Sequence, residues 1–186
     1  MSSQSWVQTL IAQQVDGTAL TNTVTATSII APAAKFTLPI NFLAIGTMLR
    51  VRAKGRVSTL VTTPGTLLLE VRFGATTVVF SGGAMALNIA AQTNATWTLD
   101  ADLVVRSIGT AATILGIGEF NSRVVIGSGA AGTAGVGELP LPDTAPAVGT
   151  SFDSTATQVV DLFATWSVAN AANSILTHVF TLECLN

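Results

Sequence analysis

The sequence predicts a single all-β domain spanning residues 1–186, a β-sandwich of the jelly-roll kind with one long loop rich in glycine and proline. Threonine and alanine supply 27 residues each, and threonine, valine and isoleucine favour strands. Apolar and polar residues alternate in many short segments that are separated by glycine or asparagine. No window carries an apolar stripe of helical period over three turns. These observations together favour about eight to ten strands and no extended helix.

The individual strands follow from this alternation. Segment 66–73 places Leu67, Leu69, Val71 and Phe73 on one face. Segment 97–106 alternates in the same way, beginning at Trp97. Further candidate strands are 6–14, 20–30, 35–39, 76–80, 113–120, 158–166 and 174–183.

The longest irregular segment is 127–151, which holds six of the sixteen glycines and three of the six prolines. A loop this long is usually functional, disordered or held by a partner. Only about 35 residues follow it, so we place it as an excursion from the sandwich rather than as a linker between domains. Those residues supply the last two strands.

The N-terminal segment 1–15 is free of charge and contains Trp6, Leu10 and Ile11. It either forms an edge strand of its own sheet or lies as an arm on a neighbouring subunit, and the edge strand is favoured. These three side chains are candidate interface residues in either case.

Four of the eight cationic residues fall within seven positions, and we call Arg50, Arg52, Lys54 and Arg56 the basic strip. A strand points alternate side chains to opposite faces, so all four project from one face while Leu49, Val51, Ala53 and Val57 face a core. We expect the basic strip to be a polar contact surface between subunits or against a larger assembly. The alternative is a solvated strand face.

Composition favours association with other protein. Charged residues make up 10% of the chain, against about 25% on average. Mean hydropathy is +0.60 and the net charge is −2, so little charge keeps copies apart. We expect a homo-oligomer. The apolar runs are too short for spanning helices, which argues against a membrane protein. Residues 1–34 lack the lysine or arginine of a secretory signal, and a single cysteine, Cys184, suits a reducing cytoplasm.

The residues that chemistry requires are scarce, so we expect no enzyme, no cofactor and no metal site. His178 is the only histidine, and alternation places it with Leu176, Phe180 and Leu182, as a partly buried core or interface residue. Asp100 and Asp102 supply too few oxygens for calcium, and we expect them to form ion pairs with the basic strip. A pI of about 5.1 and the absence of aromatic residues near the strip argue against nucleic acid.

Several stretches resemble small structural proteins of tailed-bacteriophage virions. They are QTLIA at 8–12, VDGTAL at 15–20, FSGGAMALN at 80–88, VDLFAT at 160–165 and VANAANS at 168–174. Such proteins are similar to capsid decoration (cement) proteins, which are commonly trimers with a jelly-roll or related β core. The resemblance implies that the partners are the major capsid protein and further copies of the chain. It also implies a place on the outside of the capsid, after synthesis in the host cytoplasm.

The alternative role is a receptor- or glycan-binding module of a phage head or tail fibre. Sugar sites favour exposed aromatic residues, and this chain has three tryptophans and no tyrosine. The cement role is therefore the leading expectation, and an enzyme is the least favoured.

Overall fold

The computed structural model describes residues 7–60, 62–127, 137–142, 148 and 152–185, and in these residues the protein is all-β. A three-residue 3-10 turn, Pro32–Ala34, is the one helical element described. The strands are β1 (Val7–Ala12), β2 (Leu20–Thr21), β3 (Thr27–Ser28), β4 (Phe36–Leu38), β5 (Met48–Thr59), β6 (Thr66–Phe73), β7 (Thr77–Ser81), β8 (Met85–Leu87), β9 (Gln92–Ser107), β10 (Thr113–Asn121), β11 (Val125–Gly127), β12 (Glu138–Leu141), β13 (Gln158–Trp166) and β14 (Ser174–Leu185).

The strands form two antiparallel sheets, as the sequence predicted. Sheet A has the order β1-β14-β5-β9-β10-β12, and the short strand β2 also pairs with β14. Sheet B has the order β11-β8-β6-β13-β3, with β4 on β13 and β7 on β6. Strands distant in sequence are therefore neighbours, and the last strand, β14, lies between the first strand and β5.

The core lies between the sheets and takes its side chains from the inward positions of both. Trp97 of sheet A stacks on Phe120 with ring centroids 5.9 Å apart, and Trp166 of sheet B is fully buried. The Trp97 indole nitrogen donates to the carbonyl oxygens of Arg56 and Leu176, each at 3.2 Å. This tryptophan thus ties three strands of sheet A to the core.

The strongly alternating segments were predicted closely. Strands β6 and β13 have the bounds that the sequence indicated. Strand β5 begins before Arg50 and ends after Arg56, so it is longer than the basic strip. The prediction of one strand over 20–30 was wrong, because β2 and β3 are two residues each. Asn22 has a positive φ of 53°, and the Thr23 hydroxyl accepts the backbone N–H of Thr25 at 3.0 Å. These local bonds compete with strand pairing.

The N-terminal strand β1 occupies an edge of sheet A, where it pairs with β14. The opposite edge is β12, which belongs to the segment 127–151 that the sequence analysis placed as a loop. Most other residues of that segment, and Trp6, lie outside the described residues.

Candidate interaction surface

The outward face of sheet A carries most of the residues that the sequence analysis selected. In β5, Leu49, Val51 and Ala53 are buried, whereas the basic strip lies on the opposite face. Cross-strand partners project from the same side of a sheet, so the pairing register defines rows of side chains across this face.

The central rows are charged and internally compensated. Arg50 binds Asp102 through two hydrogen bonds, Nε to Oδ1 at 2.7 Å and Nη2 to Oδ2 at 3.1 Å. Arg52 Nε donates to Asp100 Oδ2 at 2.8 Å, and its Nη1 lies 3.8 Å from Glu183. The hydrogen bonds that Arg50 donates to Asp102 raise the pKa of its guanidinium above the ordinary value. Two of the four cations of the basic strip are thus neutralised within the chain, by the aspartates that the sequence analysis proposed for them.

The remaining half of the basic strip lacks such compensation. Lys54 is paired in register with Thr98 on one side and Val179 on the other. Arg56 donates from Nη1 to Thr96 Oγ1 at 2.7 Å and to the Asn94 carbonyl oxygen at 3.2 Å. Among the described residues neither cation forms an ion pair with a carboxylate. Positive charge is therefore concentrated at this end of the strip.

The opposite end of the same face carries a continuous apolar row. Each member is the register partner of the next, across five strands and one isolated bridge. We call this set the apolar row: Val7, Leu185, Met48, Val104, Leu115 and Val148. Val7 is 69% exposed and Val148 is 55% exposed.

Three exposed isoleucines lie on loops at the same end of the sandwich. Ile40, Ile45 and Ile108 are 58%, 66% and 53% exposed. The backbone N–H of Asn41 donates to the Ser154 carbonyl oxygen at 3.0 Å, and that of Gly109 donates to the Ser154 hydroxyl at 2.8 Å.

Ile45, in the same loop as Ile40, is also held at this end, since the N–H of Gly46 donates to the Val105 carbonyl oxygen at 2.9 Å. We call the apolar row together with Ile40, Ile45 and Ile108 the apolar end. A concentration of exposed apolar side chains in one region is typical of a protein contact surface.

The sequence analysis did not find the apolar row, because each strand contributes only one of its members. The row exists only once the register of distant strands is known. A solitary apolar residue among polar outward positions, such as Val104 after Asp100 and Asp102, is the one signal that the sequence carries.

The prediction for His178 was partly wrong. A bulge between Thr177 and Val179 shifts the register of β14, so Phe180 and Leu182 face the core whereas His178 does not share that face. Its Nδ1 lies 2.7 Å from Asp16 Oδ1 at the surface. The histidine therefore links the loop between β1 and β2 to β14.

Two of the three N-terminal candidates, Leu10 and Ile11, are half-buried and pack against the core of their own chain. Cys184 is also half-buried against the core, and burial raises the pKa of its thiol. A raised pKa means less thiolate at neutral pH, and hence a less reactive sulfur.

The charges of sheet B are satisfied within the chain. Buried Asp161 pairs with Lys35 Nζ at 2.7 Å and accepts the Ser28 hydroxyl at 2.7 Å. Arg72 binds Glu70 and lies 4.3 Å above the ring of Phe163. These groups hold the fold together.

Among the described residues, no three or more His, Cys, Asp or Glu side chains come together in a way that could hold a metal ion. No helix in the described part of the chain is long and apolar enough to cross a membrane.

Comparisons with known proteins give little similarity. No protein-family model matches the chain, and no curated protein matches it. Among solved structures the chain is similar to the CBM2 module of the evolved Dit protein of Lactobacillus casei BL23 phage J-1. The two share 12% sequence identity and a TM-score of 0.36, over 99% of this chain and 98% of that chain.

Proposed function

We propose that this protein is a structural component of a tailed-bacteriophage virion and acts by binding other protein subunits rather than by catalysis. The leading role is a cement protein on the outside of the capsid, where it bridges neighbouring subunits of the major capsid protein. The proposal includes a homo-oligomer, most simply the trimer that the sequence resemblance implies.

The observation that carries the proposal is the apolar end. Its exposed valines and isoleucines come from two edges of sheet A and two loops, and they lie at one end of the sandwich. A lone subunit would hold these side chains in water, at a cost that burial against protein removes. Because the chain contains few charged residues, the rest of its surface offers little electrostatic repulsion to such contact.

The arrangement suggests how the two kinds of row act together. Apolar burial contributes about 25 cal/mol per Å², so several hundred Å² per contact, repeated around a shell, would resist opening. The area overstates affinity, because ordering costs are subtracted from it. Exposed ion pairs such as Arg52–Asp100 add little energy, but they oppose a mismatched partner. We assign stability to the apolar end and orientation to the charged rows.

A second candidate role is a receptor-binding module of a head or tail fibre. Two polar clefts beside Arg56, of about 560 and 540 Å³, favour it because they are large enough for a small ligand. No aromatic side chain lines either cleft within the described residues, so the stacking surface that many sugars use is missing there.

The test compares phage particles that contain the protein with particles that lack it. Under heat or chelator stress, particles without the protein should lose their genome sooner, although they should still assemble. Adding back purified protein should restore survival. The double variant Ile45→Lys with Ile108→Lys should not restore it, whereas the matched control Ile117→Lys with Val179→Lys should. Equal survival of particles with and without the protein would reject the cement role and favour the fibre role.

A further inference from the structure

The polar clefts beside Arg56 lie at the end of sheet A opposite the apolar end. The larger one is lined by Arg56, Asn94, Thr96, Asn121, Ser122 and Arg123, among others. The second cleft shares Arg56 and Asn94 with the first and extends to Ser174 and His178. Arg56 therefore lies between the two clefts and can be reached from both.

The geometry points to a binding site for an extended, acidic segment of a partner protein, with its carboxylates against Arg56 and Arg123. This inference rests on the proposed binding function and names the chemistry of one partner surface.

Cations that pair with no described carboxylate lie at the clefts. Arg50 and Arg52 face aspartates on β9, but at the positions of Lys54 and Arg56 the same strand presents Thr98 and Thr96. Arg123 adds a third cation from the turn after β10, and no salt bridge involves it within the described residues. Arg56 and Arg123 thus line the first cleft without an ion-pair partner among the described residues, and Lys54 lies beside it, opposite Thr98.

Hydrogen bonds within the chain hold the lining of the clefts in place. Thr96 accepts a hydrogen bond from Arg56 through its hydroxyl, and through its carbonyl oxygen it accepts one from the Ser122 hydroxyl at 2.9 Å. Ser122 directly precedes Arg123, so Thr96 holds the Arg56 side chain and the residue next to Arg123. The Asn94 N–H is fixed to Ser58 Oγ at 3.1 Å. Arg56 uses only Nη1 in these bonds, so its other donors are free for a bidentate contact with a carboxylate.

The interval between Lys54 and Arg56 matches that of an extended peptide. Lys54 and Arg56 are alternate residues of a strand and are therefore about 7 Å apart, as are alternate side chains of any extended peptide. Acidic residues at every second position of a partner segment would match this interval. A polar lining of asparagine, serine and threonine can bond the backbone of such a segment.

Carboxylates of the same chain also lie beside the clefts. Glu138 is the register partner of Asn121, and it forms no ion pair within the described residues. Asp16, near the second cleft, is bound to His178. Glu138 is thus a carboxylate placed to oppose an acidic ligand at the first cleft, and its removal should strengthen binding.

The test measures fluorescence anisotropy of a labelled ETETE peptide with the purified protein at low salt, with QTQTQ as the matched neutral peptide. Binding of ETETE alone, weakened by added salt, is expected. Arg56→Gln and Arg123→Gln should each weaken it about tenfold, the usual size for loss of a charged hydrogen bond. Arg106→Gln removes the same charge from an exposed site near the apolar end and should leave affinity unchanged. Glu138→Gln should increase affinity.

Several results would overturn the inference. They are no binding of ETETE at low salt, equal binding of QTQTQ, or an equal loss in Arg106→Gln. Arg123 makes no hydrogen bond that is described, so a loss of binding in Arg123→Gln could not be attributed to misfolding, and unchanged binding in that variant would also count against the inference.

Competition by an oligosaccharide of uronic acid, stronger than that by unlabelled ETETE and dependent on Arg56, would make the clefts a glycan site instead. The particle assay with Ile45→Lys and Ile108→Lys is independent of these outcomes, so either proposal can fail alone.

Discussion

Gly55 is the core-facing residue between Lys54 and Arg56, and the backbone of β14 passes close to it. A Cβ atom at this position would lie 1.8 Å from the carbonyl oxygen of Leu176, an impossible contact with main-chain atoms. Leu176 directly precedes the bulge of β14, and its carbonyl also accepts the indole N–H of Trp97. One glycine thus allows the bulge, the buried tryptophan and the alternation of Lys54 and Arg56 to coexist.

Replacing Gly55 with alanine should therefore lower the free energy of unfolding by about 1–3 kcal/mol or more, because backbone must move to admit the methyl group. Gly83→Ala is the matched control. Its Cβ would meet open space, and its positive φ of 76° costs about 1 kcal/mol. Urea denaturation measures both. A cost at position 55 no greater than that at position 83 would contradict the pairing of β5 with β14.

The ion pairs of the two sheets differ in how deeply they are buried. Arg50 and Asp102, between β5 and β9, keep 27% and 39% of their side chains exposed, whereas the Asp161 side chain on β13 is only 5% exposed. Exposed pairs are screened by water and salt, but a buried carboxylate without its partner keeps its full desolvation cost. The pairs of sheet A can therefore select a partner, and those of sheet B hold the structure.

Two substitutions separate these roles. Asp102→Asn should lower the free energy of unfolding by less than about 1 kcal/mol, and the difference should shrink as salt is added. Lys35→Met leaves the carboxylate of Asp161 unpaired and should cost about 2 kcal/mol or more, with little dependence on salt. Both are measured by denaturation at low and high ionic strength. A larger cost for Asp102→Asn than for Lys35→Met would reverse this assignment.

The sequence predicts single strands far better than it predicts their neighbours. Alternation within β6 and β13 places their bounds correctly, because burial of one face imposes a period of two. The bulge at Thr177–Val179 breaks that period without a signal in the sequence, and it misled the prediction for His178. The aspartate partners of Arg50 and Arg52 were foreseen from charge, whereas the apolar row and the cleft between Arg56 and Arg123 depend on the register of distant strands.

At the scale of the whole molecule, the outward face of sheet A changes character along its strands. The apolar row and the exposed isoleucines lie at one end, compensated ion pairs at the centre, and the uncompensated Lys54 and Arg56 at the other end. Such a gradient suits a subunit that docks in one orientation. The apolar end would be buried first, and the polar end would meet an acidic surface.

The apolar end should make the purified protein a homo-oligomer, most simply a trimer, since exposed apolar surface of this kind favours association. Light scattering at micromolar concentration measures the mass. Ile45→Lys with Ile108→Lys should move the population towards the monomer of 19.0 kDa, whereas Ile117→Lys with Val179→Lys should not. A native protein that stays a soluble monomer would refute the predicted oligomer.

The most direct test of the proposed function is cryo-electron microscopy of particles that contain the protein. We expect density for it on the outside of the capsid, at the seams between capsomers. Val7, Met48, Val104 and the loops of Ile45 and Ile108 should be in contact with neighbouring subunits. Density at the tip of a fibre, or a capsid-bound protein whose apolar end faces solvent, would contradict the account.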